Sequence, residues 1–545
     1  MPIRGDVNLS ATVAQVMVQQ LISWGIKHVF GVVGDSTFYF LDALARQSAI
    51  KFYAVRHEET AALMASAYAK LTGEMAVCTG TSGPGLVHLL NGLADAQKDG
   101  VPLLAITGQV ARQDVGTHQK QYLDQQSLVH SLVSYTCLLS DPQATVKVLN
   151  QAYKKAITQR MPAHISVPMD VFQLPCEEQI RQPEPYLFTR MISDHHTLKG
   201  VLPWLERAER PVILAGVGAR GAGQQVRALA EKWGAGVIHT LGGIGVIPGT
   251  HPLALGGLGH AGSWAAAEIL QQADLCLRIG VNWWPEKYIS KHIQVIEIDA
   301  QAANIGAGSN VAYGLVGDAA QLLPELTNLL SKKERRPWQE TLAKAHRDWH
   351  NQVAQEAAQS GGFVPPARIV QVMSQLLHAE AVVCLDTGDH TIWFGRNFIP
   401  QNQRVLLSGK WRTMGFALPA ALAAKLARPA RQVVALVGDG GMGMLLADFT
   451  TAVKYDLPVV ILVVNNGGLI EEKNRMLTGN LIPAGVSLHN PNFAAFAQAC
   501  GGAGFWVNDA SQLEDTLTRA LQCNKPAIVD IISDGTTIPG TTIQA

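Results

Sequence analysis

Two continuous apolar runs, Val433 to Val437 and Val459 to Val464, constrain this chain more than any other feature. Each is rich in β-branched residues and is cut short by turn residues, Gly438-Asp439-Gly440 after the first and Asn465-Asn466 after the second. Such runs read as strands buried on both faces of a parallel sheet. Met442 to Tyr455, between them, has helical spacing, so the unit is strand, helix, strand. Both strand ends then lie on one sheet edge, the edge at which open α/β sheets bind ligands. Asp439 and Asn466 are expected to converge there. One carboxylate and one amide oxygen suit Mg²⁺, which keeps waters and takes further oxygens from a phosphate. Gly438, Gly440 and Gly441 allow the backbone to approach that phosphate, and the following helix presents free N–H groups.

The same grammar recurs along the chain. His28 to Val33, ending at Gly34-Asp35-Ser36, Phe52 to Val55, ending at Arg56-His57-Glu58-Glu59, and Met75 to Cys78, ending at Thr79 to Gly85, read as strands of a first α/β domain. Helices are expected at Thr60 to Leu71, where small residues allow close packing, and from Gly85 through His88 and Asn91. A carboxylate such as Glu58, at a strand end before an apolar helix, is placed for desolvation, which raises a carboxyl pKa toward an acid/base range. Taken alone, Glu58-Glu59 also reads as an ordinary acidic helix start. A second domain has strands at Pro211 to Ala215, Leu275 to Ile279 and Val295 to Ile298. The segment Gly216-Val217-Gly218-Ala219-Arg220-Gly221 has the form GxGxxG but lacks an acid some twenty residues on, so it is no dinucleotide fingerprint. In a third domain Val382 to Leu385 ends at Asp386-Thr387-Gly388-Asp389-His390.

At 545 residues, three domains of about 150–200 residues are the natural division. We place them at 1–180, 190–332 and 355–545, with a charged run at Ser331 to Arg336 and a helical linker before the third. The expected fold class is α/β, as three doubly wound parallel-sheet domains. Forty-eight per cent apolar and sixteen per cent charged residues indicate a well-buried globular protein, and a formal net charge of zero gives no reason to expect nucleic acid or an anionic membrane. The seven cysteines are scattered, form no CxxC pair and read as buried thiols. No apolar stretch approaches 18 residues and no secretion signal is evident, so no membrane span and a cytoplasmic location are expected.

The GDG at Gly438 with the strand-end Asn465-Asn466 resembles the diphosphate signature of thiamine diphosphate enzymes. RHEE at Arg56, AYAKLTG at Ala67, VCTGTSGPG at Val77 and NGLADA at Asn91 resemble the pyrimidine-binding domain of the pyruvate oxidase and acetohydroxyacid synthase branch. The resemblance implies Asp439, Asn466 and the Gly468 carbonyl as Mg²⁺ ligands. It also implies that Glu58 hydrogen-bonds the cofactor pyrimidine and so assists removal of the thiazolium C2 proton. Gly34, Ser82, Gly388, Asp389 and His390 would line the cofactor, and Met414, in Thr413 to Pro419, would prop it into a bent shape. The middle domain resembles that of pyruvate oxidases, which binds FAD, so Gly280, Asn282 and Asp299 are candidates for that contact. Some relatives keep the fold without flavin.

Two places depart from the pyruvate oxidase pattern. Lys120-Gln121-Tyr122 retains only the glutamine of a Phe-Gln-Glu segment, and the position of an expected glutamate after Asn466 holds Arg475. The helix Glu471-Glu472-Lys473-Asn474-Arg475 is more similar to that of sulfoacetaldehyde acetyltransferases. There Arg475 or Lys473 would bind an anion and Glu472 would handle protons. Gln121, Glu472 and Arg475 join Glu58 as catalytic candidates. The resemblance implies decarboxylation of a 2-oxo acid, with pyruvate preferred, and then oxidation of the carbanion or its addition to a second carbonyl. It further implies a homodimer or homotetramer with shared sites. A non-catalytic binding module would need none of Glu58, Asp439, Asn466 and Met414.

Overall fold

The computed structural model describes residues 11–540 apart from 185–186, 188–192, 282, 285–287, 291, 308–310 and 360–362. The candidate Asn282 falls outside the described residues. The chain divides into two compact units, Met1–Thr189 with Ser408–Pro429 and Leu445–Leu457, and Arg190–Leu407 with Ala430–Met444 and Pro458–Ala545.

The first unit holds strands β1 (His28–Gly31), β2 (Lys51–Ala54), β3 (Ala76–Gly80), β4 (Leu103–Gln109), β5 (Tyr135–Leu138) and β6 (Pro162–Pro168). They form one parallel sheet in the order β2-β1-β3-β4-β6-β5. β3, β4 and β6 are buried along their whole length, as continuous apolar runs require. The helix Glu58–Thr72 is capped by His57, whose Nδ1 accepts the Glu59 N–H, and stops at Gly73 in the left-handed conformation. Its small residues bring it hard against the helix Pro84–Lys98, where a Cβ on Gly92 would sit 2.3 Å from that of Ala62. The helix Ala417–Ala427 packs on the same element.

The second unit carries two sheets. Strands β7 (Pro211–Ala215), β8 (Gly236–His239), β9 (Ala254–Gly257), β10 (Leu275–Ile279), β11 (Gln294–Asp299) and β12 (Tyr313–Val316) pair in the order β12-β11-β10-β7-β8-β9. Strands β13 (Val382–Leu385), β14 (Arg404–Leu407), β15 (Val433–Gly438), β16 (Val460–Asn465), β17 (Ala503–Val507) and β18 (Ala527–Ile532) pair in the order β14-β13-β15-β16-β18-β17. All described pairings in these sheets are parallel, so the fold is α/β, with three six-stranded sheets among the described residues.

Three expectations are corrected. The single helix expected from Met442 to Tyr455 is broken into Asp439–Leu445, a 3₁₀ turn Leu446–Asp448 and Phe449–Lys454. The break falls at Asp448, whose buried carboxylate accepts from Arg56 N–H, Thr60 Oγ1 and Thr451 Oγ1. The helix expected before the third domain is present, Arg336–Ala357, but it is no linker: its stripe Trp338, Leu342, Ala345, Trp349 and Val353 completes the core around β7 and β10. Its alanine- and glutamine-rich composition conceals that 3.6-residue period. Of the cysteines, which are all free, Cys78, Cys176, Cys276 and Cys384 are buried, whereas Cys137, Cys500 and Cys523 are half-buried. No described helix is long and apolar enough to cross a membrane.

Candidate functional site

In the first unit the carboxyl ends of β1, β2 and β3 bring three sequence candidates to one edge. Gly34 follows β1 and Ser82 follows β3, and the two turns are stitched together. Ser36 Oγ accepts the Ser82 N–H at 2.9 Å and lies 2.8 Å from Thr81 Oγ1. Glu58 opens the helix after β2 and is only 8% exposed. Its Oε2 lies 2.9 Å from Nδ1 of His88, on the helix Pro84–Lys98, and the His57 ring stacks on His88 with centroids 4.4 Å apart. Gln121 is exposed and left-handed, and its carbonyl lies beside Gly83. Met414 is half-buried in a turn of this same unit. That turn is held by Asn91, which donates to Thr413 Oγ1 (2.9 Å) and Glu59 Oε1 (2.6 Å) and accepts from Trp411 Nε1 (2.6 Å). Asp99 accepts the Gly409 and Lys410 N–H groups, each at 2.8 Å.

In the second unit the carboxyl ends of β13, β15 and β16 carry the remaining set. Asp439 follows β15 and is 2% exposed. Burial raises its carboxyl above the ordinary range, against donors that pull it down: Asn490 Nδ2 at 2.6 Å and the N–H groups of Gly440 (3.0 Å) and Gly468 (3.1 Å). Of the two asparagines after β16, Asn465 is committed elsewhere, donating to Asp530 and accepting from Asn490, each at 3.0 Å. The Oδ1 of Asn466 is buried with no hydrogen-bond partner. An orphaned amide oxygen beyond a desolvated carboxylate is a donor set that a hard divalent cation satisfies. Gly468 offers its N–H to Asp439, while its carbonyl accepts from Ile470.

Asp389 begins the helix Asp389–Asn397 next to Gly388. Burial pushes its carboxyl up to about 7, against a 3.0 Å hydrogen bond from Trp393 Nε1 and with help from the nearby charges of Glu471 and Asp534. The buried His390 ring lies so close to Gly438 that a Cβ there would be 3.0 Å from Nδ1, so this strand end admits only glycine without a shift. Gly440 and Gly441 lie in the first turn of the helix Asp439–Leu445.

The other candidates stand apart. Glu472 and Arg475 face solvent, with 58% and 65% of their side chains exposed, and Arg475 is held by Glu471 at 2.5 Å. The sheltered acid of that helix is Glu471, one residue before the one singled out. On the middle sheet, the GxGxxG segment is a 3₁₀ turn, Val217–Ala222. Gly216 donates to Ile279 O (2.9 Å) and Gly218 to Gly280 O (3.2 Å), so these glycines serve close packing of the β7 and β10 ends. Asp299 Oδ1 accepts from Gln301 N–H and Asn304 Nδ2. Trp284 covers the guanidinium of Arg278, which is paired with Glu297 inside the core, whereas Trp283 is 45% exposed.

Three family models match the chain in sequence: the N-terminal TPP binding domain of thiamine pyrophosphate enzymes at residues 11–128, the central domain at 198–326 and the C-terminal TPP binding domain at 386–531. A thiamine pyrophosphate-containing protein of Bacillus subtilis is 34% identical over 534 residues, covering 97% of this chain and 93% of its own. The large subunit of acetolactate synthase isozyme 3 from Escherichia coli is 30% identical (96% and 95% covered), and the pyruvate oxidase of Lactiplantibacillus plantarum 29% (97% and 89%).

The chain belongs to the thiamine pyrophosphate-dependent enzymes.

Within this family of pyruvate oxidases and acetolactate synthases, thiamine pyrophosphate is the cofactor the two matched binding domains take. The orphaned oxygen of Asn466, after β16, and the buried Asp439, after the neighbouring β15, are groups that would fit a metal-bridged diphosphate. Among the residues with direct contacts to the candidates that their sequence did not single out are His88 on Glu58, Asn490 on Asp439 and Trp393 on Asp389. His88 sits one turn into the helix opened by Gly83-Pro84-Gly85, where helical projection back over the preceding strand ends gave a signal. Asn490 lies in a loop with no periodicity to mark it.

Proposed function

We propose that this enzyme decarboxylates a 2-oxo acid, pyruvate first among them, with thiamine diphosphate and Mg²⁺, and oxidises the two-carbon fragment at a flavin. The observation that carries the cofactor reading is the unpartnered Asn466 Oδ1 beyond the desolvated Asp439 carboxylate. Asp439, Asn466 and Gly468 would hold the metal. Gly388, Asp389, His390, Gly438, Gly440 and Gly441 would enclose the diphosphate, with Gly34, Ser82 and Met414 against the rest of the cofactor. When bound, thiamine diphosphate supplies a carbon nucleophile and a sink for the electron pair released with CO₂.

Glu58 would hold the proton exchanged with the aminopyrimidine. Its Oε2 is fixed by His88, which leaves Oε1 for that exchange, and burial keeps competing water away. Gln121 would bind substrate from the loop beside Gly83 and Ser82. Glu472 and Arg475, being exposed, would act on an anionic substrate as it arrives. Asp299, at the end of β11, would accept a ribose hydroxyl of FAD, with Gly280 and Asn282 near the flavin. The oxidative step is supported by the extent of the match to pyruvate oxidase. A homodimer or homotetramer belongs to the same proposal, and light scattering measures it.

A second reading is supported by the equally extensive match to acetolactate synthase: addition of the two-carbon fragment to another carbonyl. An absorption spectrum with thiamine diphosphate and Mg²⁺, before and after anaerobic pyruvate, separates the two. A flavin band that bleaches is expected from the oxidase. A flavin-free protein that converts pyruvate to acetolactate overturns the oxidative step.

A further inference from the structure

Among the described residues one side chain donates to Asp439, and it is the end of a hydrogen-bonded chain with a fixed direction. Asn490 Nδ2 donates to Asp439 Oδ2 at 2.6 Å and to Asn465 Oδ1 at 3.0 Å. Asn465 Nδ2 donates in turn to Asp530 Oδ1 at 3.0 Å, and Asp530 Oδ2 accepts the Phe493 N–H at 3.0 Å. Asp530 lies buried in β18 opposite Val463 of β16, and Asn465, two residues on, shares that face. An ionised carboxylate only accepts. Asp530 therefore turns the Asn465 amide so that its nitrogen faces the carboxylate and its oxygen faces Asn490. That oxygen draws the Asn490 nitrogen, which leaves Asn490 facing Asp439 as a donor. Reversing either amide would set oxygen against oxygen.

The backbone of the same segment grips the neighbouring strand end. Val486 O accepts the Leu469 N–H at 2.7 Å and the Leu488 N–H donates to Gly467 O at 3.0 Å, a short antiparallel bridge against the turn that carries Gly468. Segment 486–493 is thus fastened to that turn, to Asn465 and to Asp530, and a donor mounted on it is held rigidly. Asp439 is 2% exposed, and its other donors, the Gly440 and Gly468 N–H groups at 3.0 and 3.1 Å, belong to backbone. Rotation of a carboxylate about its terminal torsion is soft. A donor at 2.6 Å from a separately anchored segment stops that rotation. On the proposed reading of Asp439 and Asn466 as metal ligands, we infer that Asn490 is a positioning residue for the cation, which sets the Asp439 carboxylate in place, and that Asp530 acts on the metal through Asn465 and Asn490.

The test is Mn²⁺ binding to the metal-stripped protein saturated with thiamine diphosphate, read from the electron paramagnetic resonance signal of the free ion, with Mg²⁺ as competitor. Asn490→Ala should weaken Mn²⁺ binding about 10–100-fold. Asp530→Asn, which lets the two amides reverse, should weaken it about three- to tenfold. In the Asn490→Ala background Asp530→Asn should add nothing, because it acts through the amide already removed. A residue that only supported the fold would lower the thermal midpoint of the metal-free protein and leave Mn²⁺ affinity as in wild type. A crystal structure of the wild-type Mn²⁺ holoenzyme needs no variant and should show Asn490 Nδ2 still bonded to Asp439. Wild-type affinity in Asn490→Ala, additive effects of the two substitutions, or an Asp439 turned away from Asn490 in the metal-bound protein overturns the inference and leaves the metal reading standing. A wild-type protein that binds no Mn²⁺ overturns both.

Discussion

Lys70 offers a test of how the first unit is held together. Its side chain is 8% exposed, and Nζ lies 2.7 Å from both Asp95 Oδ2 and Asp99 Oδ2, over the Phe416 ring at 4.5 Å. Burial works against the charge, but the two carboxylates outweigh it and hold the ammonium above its ordinary range. Methionine at this position nearly preserves the volume and removes the charge. It leaves Asp95, fully buried with Ser66 Oγ at 2.6 Å, and Asp99, with two backbone donors, without their cation. Breaking a buried pair in this way costs about 3–5 kcal/mol. The assay is urea unfolding of Lys70→Met, Asp95→Asn and the double variant. Because the uncompensated carboxylate is relieved by protonation, the loss should be larger at pH 8 than at pH 4. Asp95→Asn should recover part of it, giving a favourable coupling of about 1 kcal/mol or more. A Lys70→Met loss below about 1 kcal/mol at pH 8, or no coupling to Asp95, would refute the reasoning.

Three further outcomes are expected. Glu58→Gln should lower kcat by about 10²–10⁴-fold with an unchanged melting profile, which steady-state rates and calorimetry check together. His164 is fully buried between Thr107 Oγ1 and Thr136 Oγ1, and burial lowers its pKa from 6.5 to about 3. Its contribution is present above pH 6.5 and is lost as pH falls toward 3, by roughly 1.4 kcal/mol per unit, so His164→Gln should flatten the acid limb of stability. Trp349→Ala should cost about 3–5 kcal/mol in unfolding experiments, because Trp349 belongs to the middle core and not to a linker.

The strands were the most legible part of the sequence. Pro211–Ala215, Leu275–Ile279 and Val382–Leu385 fold within the ranges their apolar runs mark, because a strand buried on both faces leaves no choice of residue type. The turns that end β15 and β16 were legible for the same reason: Gly438, Asp439 and Asn466 interrupt apolar runs, and the topology does bring Asp439 and Gly468 into contact. What stayed hidden depends on tertiary partners. Asp448 breaks a helix because Thr60 and Arg56 reach it from elsewhere in the chain. Glu471, not Glu472, is sheltered because of the way Ile470–Thr478 is rotated, which no local pattern decides. Which side chain meets Glu58 required the helix Pro84–Lys98 to be placed before His88 could be chosen over Asn91.

The central claim is a metal-bridged diphosphate at Asp439 and Asn466. It is tested most directly by equilibrium binding of thiamine diphosphate to the metal-stripped protein, with and without added Mg²⁺, for wild type and Asn466→Ala. We expect tight binding only when Mg²⁺ is present, and at least about tenfold weaker binding in the variant. Binding of equal strength without a divalent cation, or an unchanged Asn466→Ala, would contradict the account.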